Sequence, residues 1–158
     1  MNNAARIEAA AEAEKSLEGA LRAGLSVLCI DSDWPLARLT WFDGMSPMQV
    51  WSVRSGLESL RDAWVAAGAS ASWAPRAASV GRPVAFAFEM AEVPRDLKTQ
   101  AHAAHVRYVL VFPLFDGEDV AGAVEVFCSE PCAFDGLRES LVRLGRLLGR
   151  IAERKRAA

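Results

Sequence analysis

The chain has 158 residues, of which 52% are hydrophobic and 24% charged, with a formal net charge of −2. That is about one domain, long enough for a single core that buries roughly 70% of the unfolded surface. The near-neutral charge gives no global attraction to nucleic acid or to anionic membranes, and no apolar run approaches the ~20 residues needed to cross a bilayer.

The first twenty residues, MNNAARIEAAAEAEKSLEGA, are acidic and amphipathic, unlike a secretory signal with a basic start and an apolar block. Ile7, Ala10, Leu17, Leu21, Leu25 and Leu28 recur at helical spacing, so Ala4 to about Asp31 reads as one long helix with Gly24 as its weak point. Asp31-Ser32-Asp33 and then Trp34-Pro35 end it, since proline holds the preceding residue away from helical angles. Leu36–Phe42 reads as a strand, Asp43-Gly44 as a turn, and Gln49–Arg54 as a second short strand. Leu57–Ala67 has a helical pattern, Gly68–Ser72 is a small polar connection, and Trp73–Val80 fits a short helix. Gly81-Arg82-Pro83 turns the chain into a strand at Val84–Phe88, and Arg95–His105 forms a helix.

Arg107–Cys128 is the stretch around which the rest is organised. Two apolar runs, Tyr108–Phe115 and Val120–Cys128, flank Asp116-Gly117-Glu118-Asp119, a hairpin signal. Neither run alternates cleanly between apolar and polar, which predicts a hairpin covered on both faces. Gly122, inside the second run, marks a bulge or a close backbone approach. After the loop Ser129–Phe134, Asp135 is placed to cap a final helix over about Gly136–Arg156. Leu137, Leu141, Leu144, Leu148 and Ile151 follow at alternating steps of four and three, a heptad seam suited to a partner helix. Arg143, Arg146, Arg150 and Arg154 run beside it as a solvated face.

The residues of Ala101–Phe127 resemble the C-terminal half of a GAF domain: Ala104, Arg107, Phe112-Pro113-Leu114, Gly117, Gly122 and Glu125-Val126-Phe127. In that family a helix leads to an apolar strand ending in Phe-Pro-Leu or Phe-Pro-Ile, then a turn and a Gly-Val-Leu-Glu-Phe-type strand. His105-Val106 stand where the family commonly has Gly-Leu. The similarity extends to Trp34–Asp43, Gly81-Arg82-Pro83-Val84 and the closing helix. It implies one α/β domain of α+β type over residues 1–158. Terminal helices (4–31 and 135–156) cover one face of a mainly antiparallel sheet within 34–128. Shorter helices and loops cover a ligand pocket on the other face, and the terminal helices form a homodimer bundle.

The expected function is therefore a non-catalytic cytoplasmic sensor, which binds a small ligand or a downstream signalling protein and transmits through the terminal helices. The ligand pocket is expected from Trp73, Phe86, Phe88, His105, Arg107, Tyr108 and Glu125, with aromatic walls for area and charged groups for orientation. Glu125 lies within an apolar strand, so it must reach a pocket, a wet edge or an arginine such as Arg107 or Arg82. The dimer interface is expected at Leu137, Leu141, Leu144, Leu148 and Ile151. The alternatives are a ligand-free interaction module with a self-filled pocket, and a redox or metal-dependent enzyme.

Catalytic signals are absent. There is no Gly-x-Gly-x-x-Gly, Walker-type or Gly-x-Ser-x-Gly motif. An odd count of cysteines, Cys29, Cys128 and Cys132, argues against a disulfide framework and for a reducing compartment. They match neither the Gly-Val-Cys-Gly segment of the family's free-methionine-sulfoxide reductases nor the Cys-His of its bilin-binding members. His102 and His105, with Cys128 and Cys132, have no more than a loose metal-ligand spacing. No catalytic residue, metal or cofactor is assigned.

Overall fold

The computed structural model describes residues 3–42, 47–130 and 134–157. The N-terminal segment is two helices rather than one, α1 (Asn3–Glu12) and α2 (Leu17–Ser32). The break has a local cause. Ser16 is extended, and its hydroxyl accepts the Gly19 N–H at 2.9 Å, capping a new helix. The apolar stripe runs on across the break, which hides it from a periodicity argument. Folding α1 back lets Ile7 and Ala11 bury against α2. Gly24 is a contact point, where an added methyl group would press on Ile7 and on Leu148. Asp33 closes α2 in the left-handed conformation, its N–H directed at the Cys29 and Ile30 carbonyls.

The strands are β1 (Leu36–Trp41), β2 (Met48–Val53), β3 (Val84–Ala87), β4 (Tyr108–Asp116) and β5 (Asp119–Cys128). They form an antiparallel sheet in the order β2-β1-β5-β4-β3. The β4–β5 hairpin is the centre and is covered on both faces, as its unbroken apolar runs require. Leu114 opposes Gly122 while Phe115 opposes Val120, so β5 bulges at Ala121. At Gly122 any side chain would strike the Thr40 carbonyl of β1. The Asp43-Gly44 turn, the loop residues around Cys132 and the side chain of Asp135 lie outside the described residues.

One face of the sheet is covered by α1, α2 and α6 (Phe134–Ala157). The other is covered by α3 (Glu58–Ala67), α4 (Ala74–Val80) and α5 (Arg95–Ala103), with a 3-10 turn at Gly68–Ala71. The fold class is thus α+β, with terminal helices on one face and middle helices on the other.

The heptad seam of α6 serves this chain's own core. Leu141, Leu148 and Ile151 are buried, together with Leu147 and Ala152, while Leu137 and Leu144 are half-buried against the same cluster. The expectation that all five residues face a partner helix is corrected on that ground. Gly145 and Gly149 explain how α6 sits so close. A methyl group on either would overlap a β4 carbonyl, of Pro113 and Phe115 respectively. Arg154 lies 3.8 Å from Glu8 and 3.6 Å from Glu12 on α1, and these exposed pairs add little stability.

Candidate functional site

Alternation along the strands sends Leu36 and Arg38 of β1, and Ala123, Glu125 and Phe127 of β5, toward the middle helices. Arg38 and Glu125 are directly opposed in the β1–β5 register. Both are buried, Glu125 completely. The Arg38 Nε and Nη2 atoms lie 3.0 and 2.9 Å from Glu125 Oε1, and Nη2 also donates to the Ala71 carbonyl at 3.2 Å. The other carboxylate oxygen accepts the Trp73 backbone N–H at 2.7 Å. Burial pushes the Glu125 pKa up; Arg38 and the Trp73 amide act against it by favouring the charged form.

Aromatic rings close the chamber around this pair. Trp64 of α3 stacks on Phe127 with centroids 3.8 Å apart, and its indole N–H donates to the Ala71 carbonyl at 2.7 Å. The Arg38 guanidinium lies 4.6 Å from the Trp64 ring centre and 5.3 Å from that of Trp51. Trp73 meets Phe86 edge-on at 5.4 Å, and Phe88 meets Phe127 edge-on at 5.2 Å. The Ala71 carbonyl thus receives both a guanidinium and an indole, which ties the 3-10 turn to the sheet.

Four of the seven predicted ligand residues, Trp73, Phe86, Phe88 and Glu125, come together here, and they interdigitate. The other three do not join them. His105 and Arg107 are exposed, and Tyr108 packs toward the terminal-helix face. Strand parity is the reason: Tyr108 shares its face with Leu110 and Phe112, opposite to Val109 and Val111. Nor does Glu125 pair with Arg107 or Arg82. Its partner, Arg38, was legible only as a lone arginine inside LARLTW, just as Glu125 is a lone acid inside AGAVEVFC. Trp51 and Trp64 also belong to the site and carried no separate signal, because aromatic residues in helices and strands read as plain core; Phe127 was legible only as part of the Glu125-Val126-Phe127 resemblance.

Two surface clefts lie outside the chamber, along β3. A cleft of about 830 Å³ is lined by Trp73, Phe86 and Met90 with Arg76, Arg82 and Arg138. A second, of about 560 Å³, is lined by Phe88 and Glu89 with Lys98, His102 and Arg107. The predicted pocket residues are therefore divided among a filled chamber and two surface clefts, with His105 in none of them.

Cys29 and Cys128 are both buried, and Cys29 is a free thiol. Desolvation raises the Cys29 thiol to about 11, against a smaller opposing effect of its hydrogen bond with Ser52. Among the described residues no three His, Cys, Asp or Glu side chains gather as metal ligands, and Cys132 lies outside them. Among the same residues no helix is long and apolar enough to cross a membrane.

No protein-family model matches the sequence. No significant match is found among curated proteins either. Solved structures do match. A domain of a two-component sensor histidine kinase protein from Sinorhizobium meliloti aligns at TM-score 0.62 and 20% identity, over 91% of this chain and 95% of that one. The GAF domain of an Acinetobacter phosphoenolpyruvate-protein phosphotransferase aligns at 0.61 and 15%, over 99% and 94%. The free methionine-R-sulfoxide reductase of Neisseria meningitidis, solved with its substrate, aligns at 0.66 and 16%, over 98% and 88%. The fold is GAF-like. At these identities the likeness is one of fold alone.

Proposed function

We propose that this chain is a non-catalytic signalling domain on a GAF-like scaffold, acting through its surface on another protein while its central chamber is filled by its own side chains. The observation that carries this reading is the packed chamber, with Trp64 stacked on Phe127 and the Arg38–Glu125 pair beneath them. A ligand between sheet and middle helices would have to displace an indole and break a buried ion pair. Burial and the raised pKa of Cys29 disfavour the thiolate a redox reaction needs, which counts against that cysteine as a redox centre. The cytoplasm fits the free thiol of Cys29.

Native mass spectrometry tests this directly. The purified protein is expected at the mass of the bare chain or a whole multiple of it, with nothing added, and a retained small molecule would overturn the reading. A second arm uses Trp64→Ala, whose cavity should admit indole and gain thermal stability from it. The unaltered protein should show no such gain.

Self-association through the terminal helices remains part of the proposal in a narrower form. It would use the half-exposed Leu137 and Leu144 rather than the buried remainder of the seam. Leu137→Glu should then halve the sedimentation mass of a folded dimer.

A further inference from the structure

The strongest unused feature is the outer edge of β3. Among the described residues this strand pairs only with β4, and the sheet ends there. The Phe88 N–H donates to the Arg107 carbonyl at 2.7 Å. The alternation of an antiparallel ladder then makes Phe86 and Val84 the bonded positions. The N–H and C=O groups of Ala85 and Ala87 consequently point away from the sheet. Among the described residues none of these groups has a partner. The strand reads Val-Ala-Phe-Ala, with no charge, bulge or internal proline to discourage pairing.

What surrounds the edge is selective. Both clefts described above open beside β3, one along Val84–Phe86 and the other beyond Ala87. Three arginines against Glu92 line the first; a lysine, an arginine and His102 against Glu89 line the second. Arg76, Arg82, Lys98 and Arg107 form no ion pair among the described residues. On the terminal-helix side an apolar notch of about 220 Å³ lies between Ala85, Ala87, Tyr108, Leu110 and Cys128. The opposite edge, β2, differs, because its neighbour Arg54 is already paired with Asp33.

We propose that the free edge of β3 is a docking site for an extended acidic segment of another protein, added to the sheet as a further strand. This rests on the protein-interaction reading above and names the kind of partner. The outward groups of Ala85 and Ala87 supply the ladder, the notch takes one apolar side chain, and the clefts at the two ends take carboxylates. A single small anion meets only one of the two clefts, whereas a strand lying along β3 reaches both.

The test is a titration of the full chain, followed by its amide NMR signals, with a blocked peptide of alternating glutamate and valine. The Ala85 and Ala87 amides should shift and become protected from exchange, and binding should weaken with salt. A lysine–valine peptide and inorganic phosphate should leave them unmoved. Ala85→Pro removes an outward N–H without touching the β3–β4 ladder, and should weaken binding by about tenfold or more. Should that variant not fold, the exposed pair Arg76→Glu and Arg82→Glu should give a comparable loss. Unchanged affinity in the folded variants, or phosphate acting as well as the peptide, would overturn the docking site. The Trp64 indole N–H reports separately on the chamber. A silent β3 with a silent indole overturns the docking site alone, whereas an indole that moves while β3 stays silent overturns both readings.

Discussion

On the face carrying α1, α2 and α6, helices meet the sheet through leucines and two glycines that let backbone touch backbone. On the opposite face, α4 approaches β4 and β5 through the small residues Ala74 and Ala77, while α3 and α5 stand off from the strands across rings and an ion pair. Where α6 touches β4 backbone to backbone, direct contact leaves no space between them. A filled gap keeps the chamber's outline while occupying its volume. The second arrangement is the one in which a change of a few side chains would open a pocket, and it is where a GAF-like scaffold can be either a ligand binder or a closed module.

The comparison breaks most sharply at Arg38. Arg38→Met leaves the Glu125 carboxylate buried with only the Trp73 and Ala74 backbone amides to hold it. The expected loss is about 3–5 kcal/mol in denaturant unfolding at neutral pH. Acidification should restore part of it. Burial already holds the Glu125 pKa above its ordinary 4.5, and loss of Arg38 raises it further. The folded variant therefore binds a proton that the unfolded chain releases, and stability rises as pH falls from that raised value toward 4.5. The double variant Arg38→Met/Glu125→Leu should recover most of the loss, since a paired charge is replaced by apolar volume. A double variant no better than Arg38→Met would mean the pair holds more than its own desolvation.

On the helical face the corresponding break is Gly149→Ala. The added methyl group meets the Phe115 carbonyl, which is held in the sheet and cannot swing aside as a side chain would. Overpacking of this kind costs roughly 1–3 kcal/mol, and the unfolding midpoint should fall accordingly. Gly136→Ala, where the added methyl meets nothing within contact distance, is the control and should be neutral or mildly stabilising. Equal effects at the two positions would remove the claim of backbone contact.

Much of the fold was legible because strands and helices here carry strong local signals. The hairpin at Asp116–Asp119, the two-sided burial of β4 and β5, and the close approach at Gly122 follow from residue pattern alone. What was not legible is spatial. The Ser16 cap interrupts a stripe whose period continues across it, so periodicity merges α1 and α2. The seam of α6 states that one side is apolar, but not whether its own sheet or a partner covers it; Gly145 and Gly149 held that information and look unremarkable in sequence. The site was half legible. Trp73, Phe86, Phe88 and Glu125 converge, while Arg38 is 87 positions from Glu125 in the chain and is brought to it only by strand register.

The smallest expected effect sharpens the comparison from the edge of the helical face, at Cys29. Its thiol is buried near the α2 terminus, close to Ser52, and is raised from 9.0 to about 11 because desolvation outweighs its hydrogen bond and the charge of Arg54. Between these values the folded protein keeps a proton that the unfolded chain gives up, so stability falls as pH rises through that window. The contribution reaches roughly 1 kcal/mol by about pH 10. Cys29→Ala should flatten this part of the stability curve, leaving only the slopes of other groups. Alkylation of the native protein at neutral pH should likewise be slow at Cys29, with the thiol both covered and protonated. Labelling there as fast as in the unfolded chain would show that α2 opens near its end and that this part of the helical face is less closed than its packing implies.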